Sequence, residues 1–434
     1  MSAADRTVEI LQDLLRMDTQ NWGRGKAVGE GVAADYLQNF FEENGLTPTT
    51  VTHRAEGEPD RPSVFARWEG RDTRLPPLLV HGHTDVVPAV AAEWSVDPFG
   101  AEIRDGCVWG RGAVDMKDMD AMMLATLEDA VRRGERPRRT IMFGFFADEE
   151  AGGERGSQFV CRTHPDLFDG VANAVSEVGG YSINLAGQRA YLVQTGEKGL
   201  IWLRLVASGT AGHGSHVNAD NAITKLARAL VQLGEVQWPV QLTPTTRLLL
   251  ERVRTLTHAA VSDTPHEVAA RTGFAARFVS ASLQTTANPT MLTSGVNHNV
   301  VPLSATARID VRPLPGENEK VLDRIREIVG PEVRVEPDLI DIGFENPFDG
   351  DFVAAIQRSV AVHDPEAVCL PYLLSAGTDN KALYKLGIRG FGFVPLRVPA
   401  DFDFPGMFHG VDERVPVESL AFGQRVLSEL ILNY

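Results

Sequence analysis

The sequence predicts an α/β fold, in which a mostly parallel sheet covered by helices is interrupted by a smaller α+β domain. Up to about residue 197, apolar runs without alternation, such as TIMFGFFA (140–147), are separated by helical segments. This pattern is typical of strands buried on both faces of a parallel sheet. From about residue 199 the order becomes β-α-β-β-α-β, which indicates a ferredoxin-like sandwich. After residue 343 the alternation of apolar strands and helices returns.

A chain of 434 residues exceeds a comfortable single core. We therefore predict a body formed by residues 1–197 and 343–434 and an inserted domain at 198–342. The first eighteen residues place Ile10, Leu11 and Leu14 on one side of a helix. In the body we predict further helices at 28–44, 118–134, 351–363 and 417–432, and strands at 63–68, 77–81, 140–147, 171–178 and 388–394. In the inserted domain we predict strands at 200–209, 282–294, 299–312 and 332–340, helices at 221–234 and 317–330, and a helical insertion around 244–272.

Composition restricts the class of function. The 58 acidic and 42 basic side chains give a net charge of −16, which argues against a nucleic-acid partner or an anionic membrane surface. The cysteines at 107, 161 and 369 are too few and too scattered for a disulfide framework or a thiolate metal site. No apolar run is long enough to span a bilayer, and the N-terminal segment lacks the regions of a secretion signal. We therefore expect a protein of the cytoplasm.

Metal-type ligands follow several of the predicted strands. HGHTDVVP (81–88) comes directly after an apolar strand, ADEE (147–150) ends the run at 140–147, and Glu177 follows ANAVS. Gly-rich loops frame Asp115 in GRGAVD and His409 in MFHGVDE. Each is unremarkable alone, since a lone histidine is usually a packed residue, but carboxyl ends of strands form the ligand crevice of an α/β sheet. Nitrogen and carboxylate ligands without thiolates suit zinc first, then cobalt or manganese.

These segments resemble, in their order and spacing, the motifs of the di-zinc hydrolase family that includes aminoacylase, glutamate carboxypeptidase, acetylornithine deacetylase and succinyl-diaminopimelate desuccinylase. The matching segments are HGHTDVVP, DGCVWGRGAVDMKD, ADEEAGG, SEVGG, GTAGHGSH, VNHNVVP, IDVRPLPG, SAGTDN and FHGVDE. The resemblance covers about residues 5–430. It implies a zinc-peptidase-like body and an inserted lid and dimerisation domain.

The resemblance also implies the ligands of two Zn²⁺ ions per subunit, with Co²⁺ or Mn²⁺ as alternatives. The first metal would be held by His83 and Glu177, the second by Glu150 and His409, and Asp115 would bridge both. Asp85 would orient His83 and fix its tautomer. Glu149 would be the general base. By contrast, we expect His81, His216 and His298 to be structural.

The substrate-facing positions implied by the resemblance lie mostly on the inserted domain and the 377–379 loop. They are His213, Asn299, Arg312, Gly377 and Thr378. His213 would reach a substrate carbonyl in the site of the partner subunit of a homodimer, and Arg312 suits a carboxylate clamp, although a structural ion pair is the alternative. One departure is Asp118, where the family usually has glycine. The segment 236–280 is longer than the inserted domain requires.

The sequence therefore predicts a two-metal hydrolase that cleaves an amide bond of a small N-acylamino acid or short peptide. A hydroxide bridging the metals would attack the carbonyl, with Glu149 as the base. One alternative is a serine hydrolase using Ser215 beside His213 or His216, which no GxSxG elbow supports. Another is a catalytically silent metal-binding relative, which would have no use for Glu149. The acyl group and the amine are not determined by these residues.

Overall fold

The computed structural model describes residues 2–23 and 25–434. In chain order its helices are α1 (Ala3–Leu15), α2 (Gly31–Glu43), α3 (Lys117–Arg132), α4 (Ser157–Thr163), α5 (Ala222–Gly234), α6 (Pro244–Thr257), α7 (Pro265–Ala270), α8 (Ala276–Ala281), α9 (Asn318–Val329), α10 (Gly350–His363), α11 (Asn380–Tyr384) and α12 (Val417–Asn433). Its strands are β1 (Asn21–Gly23), β2 (Lys26–Ala27), β3 (Pro48–His53), β4 (Arg61–Trp68), β5 (Leu78–His83), β6 (Ile103–Arg104), β7 (Cys107–Trp109), β8 (Ile141–Phe146), β9 (Asn173–Ser176), β10 (Ser182–Leu185), β11 (Gln188–Glu197), β12 (Leu200–Ser208), β13 (Gly212–His213), β14 (Thr286–Ser294), β15 (Val300–Val301), β16 (Ser304–Arg312), β17 (Val333–Asp341), β18 (Phe344–Glu345), β19 (Val368–Leu374), β20 (Arg389–Gly392) and β21 (Arg414–Pro416).

The large sheet has the strand order β10-β11-β20-β9-β5-β8-β4-β3, with β18 and β19 also paired to β11. Its centre, β20-β9-β5-β8, is parallel. The strands β3 and β4 at one end and β10 and β11 at the other are joined antiparallel. The predicted α/β class is therefore confirmed, and the sheet is mixed, with its parallel part in the middle.

Helices cover both faces of the large sheet, which is why its strands are apolar without alternation. On β8, Phe143 and Phe145 point to one face and lie 5.9 and 6.0 Å, between ring centroids, from Phe41 of α2. Phe146 points to the other face, where its ring lies 5.4 Å from that of Phe65. Neighbouring side chains of one strand thus belong to two different buried clusters.

The small sheet is antiparallel and has the order β14-β16-β12-β17. Helices α5 and α9 cover one face, where Leu226 and Ile325 pack with Leu203 and Ile309 in a separate core. The element order β12-α5-β14-β16-α9-β17 is the predicted β-α-β-β-α-β order. This sheet follows directly from β11 and returns to the large sheet at β18.

The helical insertion α6–α8 packs against the large sheet. It lies within the range predicted for the inserted domain, yet Leu249, Val253 and Val279 belong to the same core as Leu370 of β19. It also extends beyond the predicted 244–272. In the described ranges of the chain, no helix has the length and apolar character needed to cross a membrane.

Candidate metal centre

Three neighbouring parallel strands bring metal-type ligands to the same edge of the large sheet. His83 is the last residue of β5, and Glu177 directly follows β9. Glu149 and Glu150 begin a 3₁₀ turn just after β8. Since β8, β5 and β9 are adjacent, the order of the strands makes these four side chains converge, as the sequence pattern predicts.

Asp115 lies between two imidazoles. Its Oδ1 is 3.2 Å from His83 Nε2, and its Oδ2 is 3.2 Å from His409 Nε2. His409 Nε2 is also 3.1 Å from Glu150 Oε2. One carboxylate therefore faces two separate nitrogen donors with its two oxygens, which is the arrangement required of a bridging ligand.

His83 Nε2 faces two further carboxylates. Glu177 Oε2 lies 3.5 Å away and Glu149 Oε2 lies 3.9 Å away. The potential ligand atoms of His83, Glu149 and Glu177 fall within 4.8 Å of one another, as do those of His83, Asp115 and Glu150. By distance alone, therefore, Glu149 could act either as a metal ligand or as a base.

The orientation of His83 is fixed by the backbone of Asp85. His83 Nδ1 lies 3.0 Å from the Asp85 carbonyl oxygen, whereas the nearer carboxylate oxygen is 3.7 Å away. A carbonyl can only accept a hydrogen bond, so Nδ1 carries the proton and the Nε2 lone pair is free to bind a metal. The expected carboxylate contact is replaced by one from the carbonyl, with the same effect on the tautomer.

The carboxylate of Asp85 instead holds the turn that carries the two glutamates. It accepts hydrogen bonds from the backbone N–H of Glu149 at 3.1 Å and of Glu150 at 3.2 Å. Asn21 Nδ2 donates to it at 2.8 Å. Asn21 was not predicted from the sequence, because a single asparagine before a short strand carries no pattern.

The cluster contains more carboxyl groups than its buried surroundings can stabilise in the ionised form. Burial raises the pKa of Glu177 to about 8, and burial together with Glu177 raises the pKa of Glu149 well above its usual value. Hydrogen bonds to Asp115 and Glu150 raise the pKa of His409 to about 11. Carboxylates crowded into a buried space need added positive charge if they are to stay ionised together.

The donor set fits divalent cations. Neutral imidazole nitrogens and carboxylate oxygens, without thiolates, are ligands of zinc, cobalt and manganese. The side chains of His83, Glu150 and Glu177 are 0, 4 and 6% exposed. Little water can therefore reach the two carboxylates to stabilise their charge in place of a cation. His409 is different, because 56% of its side chain is exposed.

A buried ion pair supports both loops of the centre. Glu413 is fully buried and accepts hydrogen bonds from the N–H groups of Val114 at 2.8 Å and Asp115 at 3.2 Å. Its partner is Arg111, whose Nη2 also donates to the Gly410 carbonyl at 3.0 Å. Glu413 belongs to the FHGVDE segment, so the motif pointed to it, but its role depends on contacts that the sequence does not show.

A cavity of about 170 Å³ opens beside Glu149, Glu150 and His409. The predicted substrate-facing residues Arg312, Gly377 and Thr378 line it, together with Trp202 and Lys381, which were not predicted. Arg312 makes a two-point contact with Asp310, at 2.7 and 3.1 Å. Thr378 is also engaged, since its N–H donates to Glu197 at 2.9 Å.

His213 and Asn299 lie elsewhere on the same chain. Both are exposed, on the β13–β15 ribbon and next to it, where Gly214 N–H donates to the Asn299 carbonyl at 2.8 Å. Neither residue is among the described residues that line the cavity beside the glutamates. His213 Nδ1 lies 2.7 Å from Ser215 Oγ, and no carboxylate among the described residues lies within 4.0 Å of His213 to complete a triad.

Two further residues agree with structural roles. His81 is fully buried, with Nε2 at 3.1 Å from Asn380 Oδ1, and burial lowers its pKa to about 4. Asp118 lies in the first turn of α3, where its Oδ1 accepts the N–H of Met119 at 2.8 Å. Burial raises the pKa of Asp118 well above its usual value, so a charge–dipole benefit at this helix end is small.

Comparisons with known proteins identify a family and a fold for this chain. The sequence model of peptidase family M20/M25/M40 matches residues 79–433. Aminoacylase-1 of Pongo abelii is 26% identical over 399 residues, which cover 87% of this chain and 84% of that protein. The metallo-carboxypeptidase Sso-CP2 from Sulfolobus solfataricus has a TM-score of 0.75 at 18% identity, over 98% of each chain. Bacillus subtilis YXEP, a dinuclear metal binding peptidase, has a TM-score of 0.60 at 14% identity, over 99% of this chain and 98% of that one.

Proposed function

This chain belongs to peptidase family M20/M25/M40, and on that premise we propose that it is a two-metal hydrolase of an amide bond in a small N-acylamino acid or short peptide. The observation that carries the proposal is the position of Asp115, whose two oxygens face His83 and His409 at 3.2 Å each. The names of its relatives, an aminoacylase and a metallo-carboxypeptidase, support this substrate class.

The proposed metal is Zn²⁺, with Co²⁺ or Mn²⁺ as alternatives. His83 and Glu177 would hold the first ion, Glu150 and His409 the second, and Asp115 both. Bound there, the two cations would polarise the scissile carbonyl and lower the pKa of an attacking water. The relative described as a dinuclear metal binding peptidase supports two ions rather than one.

Glu149 is the proposed general base. It lines the cavity, and burial and Glu177 hold its pKa well above the usual value. A carboxylate with a raised pKa takes a proton from water more readily and returns it to the leaving amine. The Asp85 carboxylate, which accepts the N–H groups of Glu149 and Glu150, would keep the base in place during both transfers.

Arg312 is the proposed anchor for a substrate carboxylate. It lines the cavity and already presents a planar guanidinium to two carboxylate oxygens of Asp310. A substrate with a free α-carboxylate could share that guanidinium or displace Asp310 from it. Gly377 and Thr378, which also line the cavity, would contact the same substrate.

We further propose that residues 198–342 form a lid and that this lid contacts its copy in a homodimer. We also propose that the protein is located in the cytoplasm. The exposed side chains of Ile223 and Val231 on α5 and of Met291 and Leu292 on β14 support such a contact. His213 and Asn299, which are exposed and are not among the described residues that line the cavity of their own subunit, would then serve the site of the partner.

The serine-hydrolase alternative is weaker. Ser215 and His213 are within hydrogen-bonding distance, but both are exposed and no acid among the described residues orients the histidine. A silent metal-binding relative would not need Glu149 at the cavity.

The test is to strip the protein of metal, reload it with Zn²⁺, Co²⁺ or Mn²⁺, and assay a panel of N-acylamino acids and dipeptides. We expect no turnover without metal, recovery on reloading, and about two metal equivalents per chain. Turnover that survives complete chelation would contradict the two-metal proposal and favour Ser215. Binding of metal without turnover on any substrate would favour the silent relative.

A further inference from the structure

His409 has the most exposed side chain of the five proposed metal ligands. Its side chain is 56% exposed, whereas those of Asp115 and Glu150 are 11 and 4% exposed. The residue has a left-handed backbone with φ of 57°, and it follows a 3₁₀ turn at Phe404–Gly406 rather than a strand. The position of its imidazole therefore depends on what holds the loop.

The helical insertion supplies an aromatic support for this loop. Phe278 of α8 meets the ring of Phe408 edge to face, with centroids 6.1 Å apart. Phe408 meets Phe404 in the same way at 5.4 Å. Phe408 is the neighbour of His409 in the chain, so the contact acts one residue away from the proposed ligand.

An ion pair joins the same two segments. Arg277 Nη2 lies 2.8 Å from Asp403 Oδ2. The other oxygen of Asp403 accepts the N–H of Gly406 at 3.0 Å, which closes the 3₁₀ turn before the His409 loop. Arg277 is 50% and Asp403 33% exposed, so this pair contributes less than the aromatic contact.

Helix α8 is itself firmly anchored. Val279 is fully buried in the large-sheet core, and Lys198 Nζ donates to the carbonyls of Ala281 at 2.9 Å and Gln284 at 2.7 Å. Helix α8 is therefore held by the large-sheet core and by Lys198, which lies between β11 and β12, so it can serve as a fixed support for the His409 loop.

We infer that Phe278, with a smaller part from Arg277, is a positioning residue for His409 and sets the metal affinity of the site that His409 and Glu150 share. This gives the helical insertion a role in the metal centre without any direct contact to metal or substrate. The inference rests on the proposed function, because it takes His409 as a ligand. Groups that orient a metal ligand typically change metal affinity about 10- to 100-fold.

The experiment titrates metal-free protein with Zn²⁺ against a competing chelator and resolves the two affinities. We expect Phe278→Ala to weaken one site about 10- to 100-fold and to leave the other unchanged. Phe278→Leu, which keeps most of the bulk, should fold if the alanine variant does not and should show a smaller loss at the same site. Arg277→Ala should weaken that site by only a few-fold.

The matched control is Leu250→Ala in α6. Leu250 is 5% exposed and packs in the large-sheet core of the same insertion, so its truncation should lower Tm without altering either affinity. Equal weakening of both sites by Phe278→Ala or Phe278→Leu, or no weakening at all, would overturn the inference.

His409→Ala separates this inference from the proposed function. If His409→Ala still binds two equivalents, its assignment as a ligand is wrong and the proposed function fails at that residue. If His409→Ala loses one equivalent while the Phe278 variants bind both ions normally, only the inference about Phe278 is lost.

Discussion

Arg111 and Glu413 form a buried ion pair that joins the two loops bearing Asp115 and His409. Arg111 Nη1 lies 2.5 Å from Glu413 Oε2, and their side chains are 4 and 0% exposed. Glu413 accepts the N–H of Asp115, and Arg111 donates to the carbonyl of Gly410, next to His409. The ion pair therefore links the two loops that carry these proposed metal ligands.

Replacing Arg111 by methionine should be strongly destabilising. The change leaves Glu413 buried without its counter-charge, which typically costs about 3–5 kcal/mol. Urea unfolding of the metal-free protein measures the loss. The control is Arg204→Met, which removes an ion pair to Asp338 that is 40% and 27% exposed and should cost no more than about 1 kcal/mol. Similar losses for both variants would contradict the role given to Arg111.

Asp115→Ala should abolish binding of both metal ions. The carboxylate faces His83 and His409 with separate oxygens, so its loss removes one donor from each site. Metal analysis of the purified variant should find far less than one equivalent, and the Tm gain on adding Zn²⁺ should vanish, since that gain comes from binding to the folded state. His409→Ala should keep one ion. Two full equivalents in Asp115→Ala would show that it is not a shared ligand.

The adjacent glutamates should give opposite results. Glu149→Gln should keep the metal and lose turnover by about two to four orders of magnitude, the usual contribution of a positioned base. Glu150→Gln should lose metal instead, because Glu150 faces His409 at 3.1 Å. Metal content and kcat, measured on the same preparations, check both. A metal-poor Glu149→Gln would reverse the two assignments, which the 3.9 Å distance to His83 allows.

Lys198 should make stability rise with pH above neutrality. Burial lowers its pKa to about 7, from a usual 10.5. Between these values the unfolded chain binds a proton that the folded protein does not, so the free energy of unfolding increases with pH, by up to about 1.4 kcal/mol per pH unit. Below pH 7 the cost of the buried charge is fully present, and above pH 10.5 it is absent.

The measurement for Lys198 is urea unfolding of metal-free protein from pH 7 to 10. The slope of stability against pH should be smaller in Lys198→Met than in the unmodified protein. Lys320→Met is the control, because Lys320 is 76% exposed and its loss should leave the slope unchanged. Equal slopes in all three proteins would show that Lys198 does not titrate in this range.

Mixed dimers should recover activity from two inactive variants. Glu149→Gln lacks the base and His213→Ala lacks the histidine that we propose to serve the partner's site. If the chains exchange at random, half of the dimers are mixed and each has one complete site, so about a quarter of the full activity should return. Native mass spectrometry verifies that exchange occurred. Exchange without recovery would place His213 in its own subunit's site or outside catalysis.

The sequence by itself determined the α/β class, the approximate bounds of the main helices and the positions of the candidate ligands. These features are local: β8 is apolar over six consecutive residues, and His83, Glu150 and Glu177 lie at the ends of apolar strands or within a few residues after them. The strands β11 and β19 were not predicted. Their pairing joins residues far apart in the chain and includes a register shift between Gln194 and Gly196, so no short window carries it.

Only the tertiary structure decided how the ligands are held. Arg111 and Glu413 are 302 residues apart, and the contact of Asp85 with His83 runs through the backbone carbonyl, which every residue possesses. The sequence predicted that the insertion is helical, but it did not predict that the insertion packs against β19 and Phe408. Local sequence patterns record which side chains prefer burial or a given backbone, whereas these contacts depend on which distant segments the closed fold brings together.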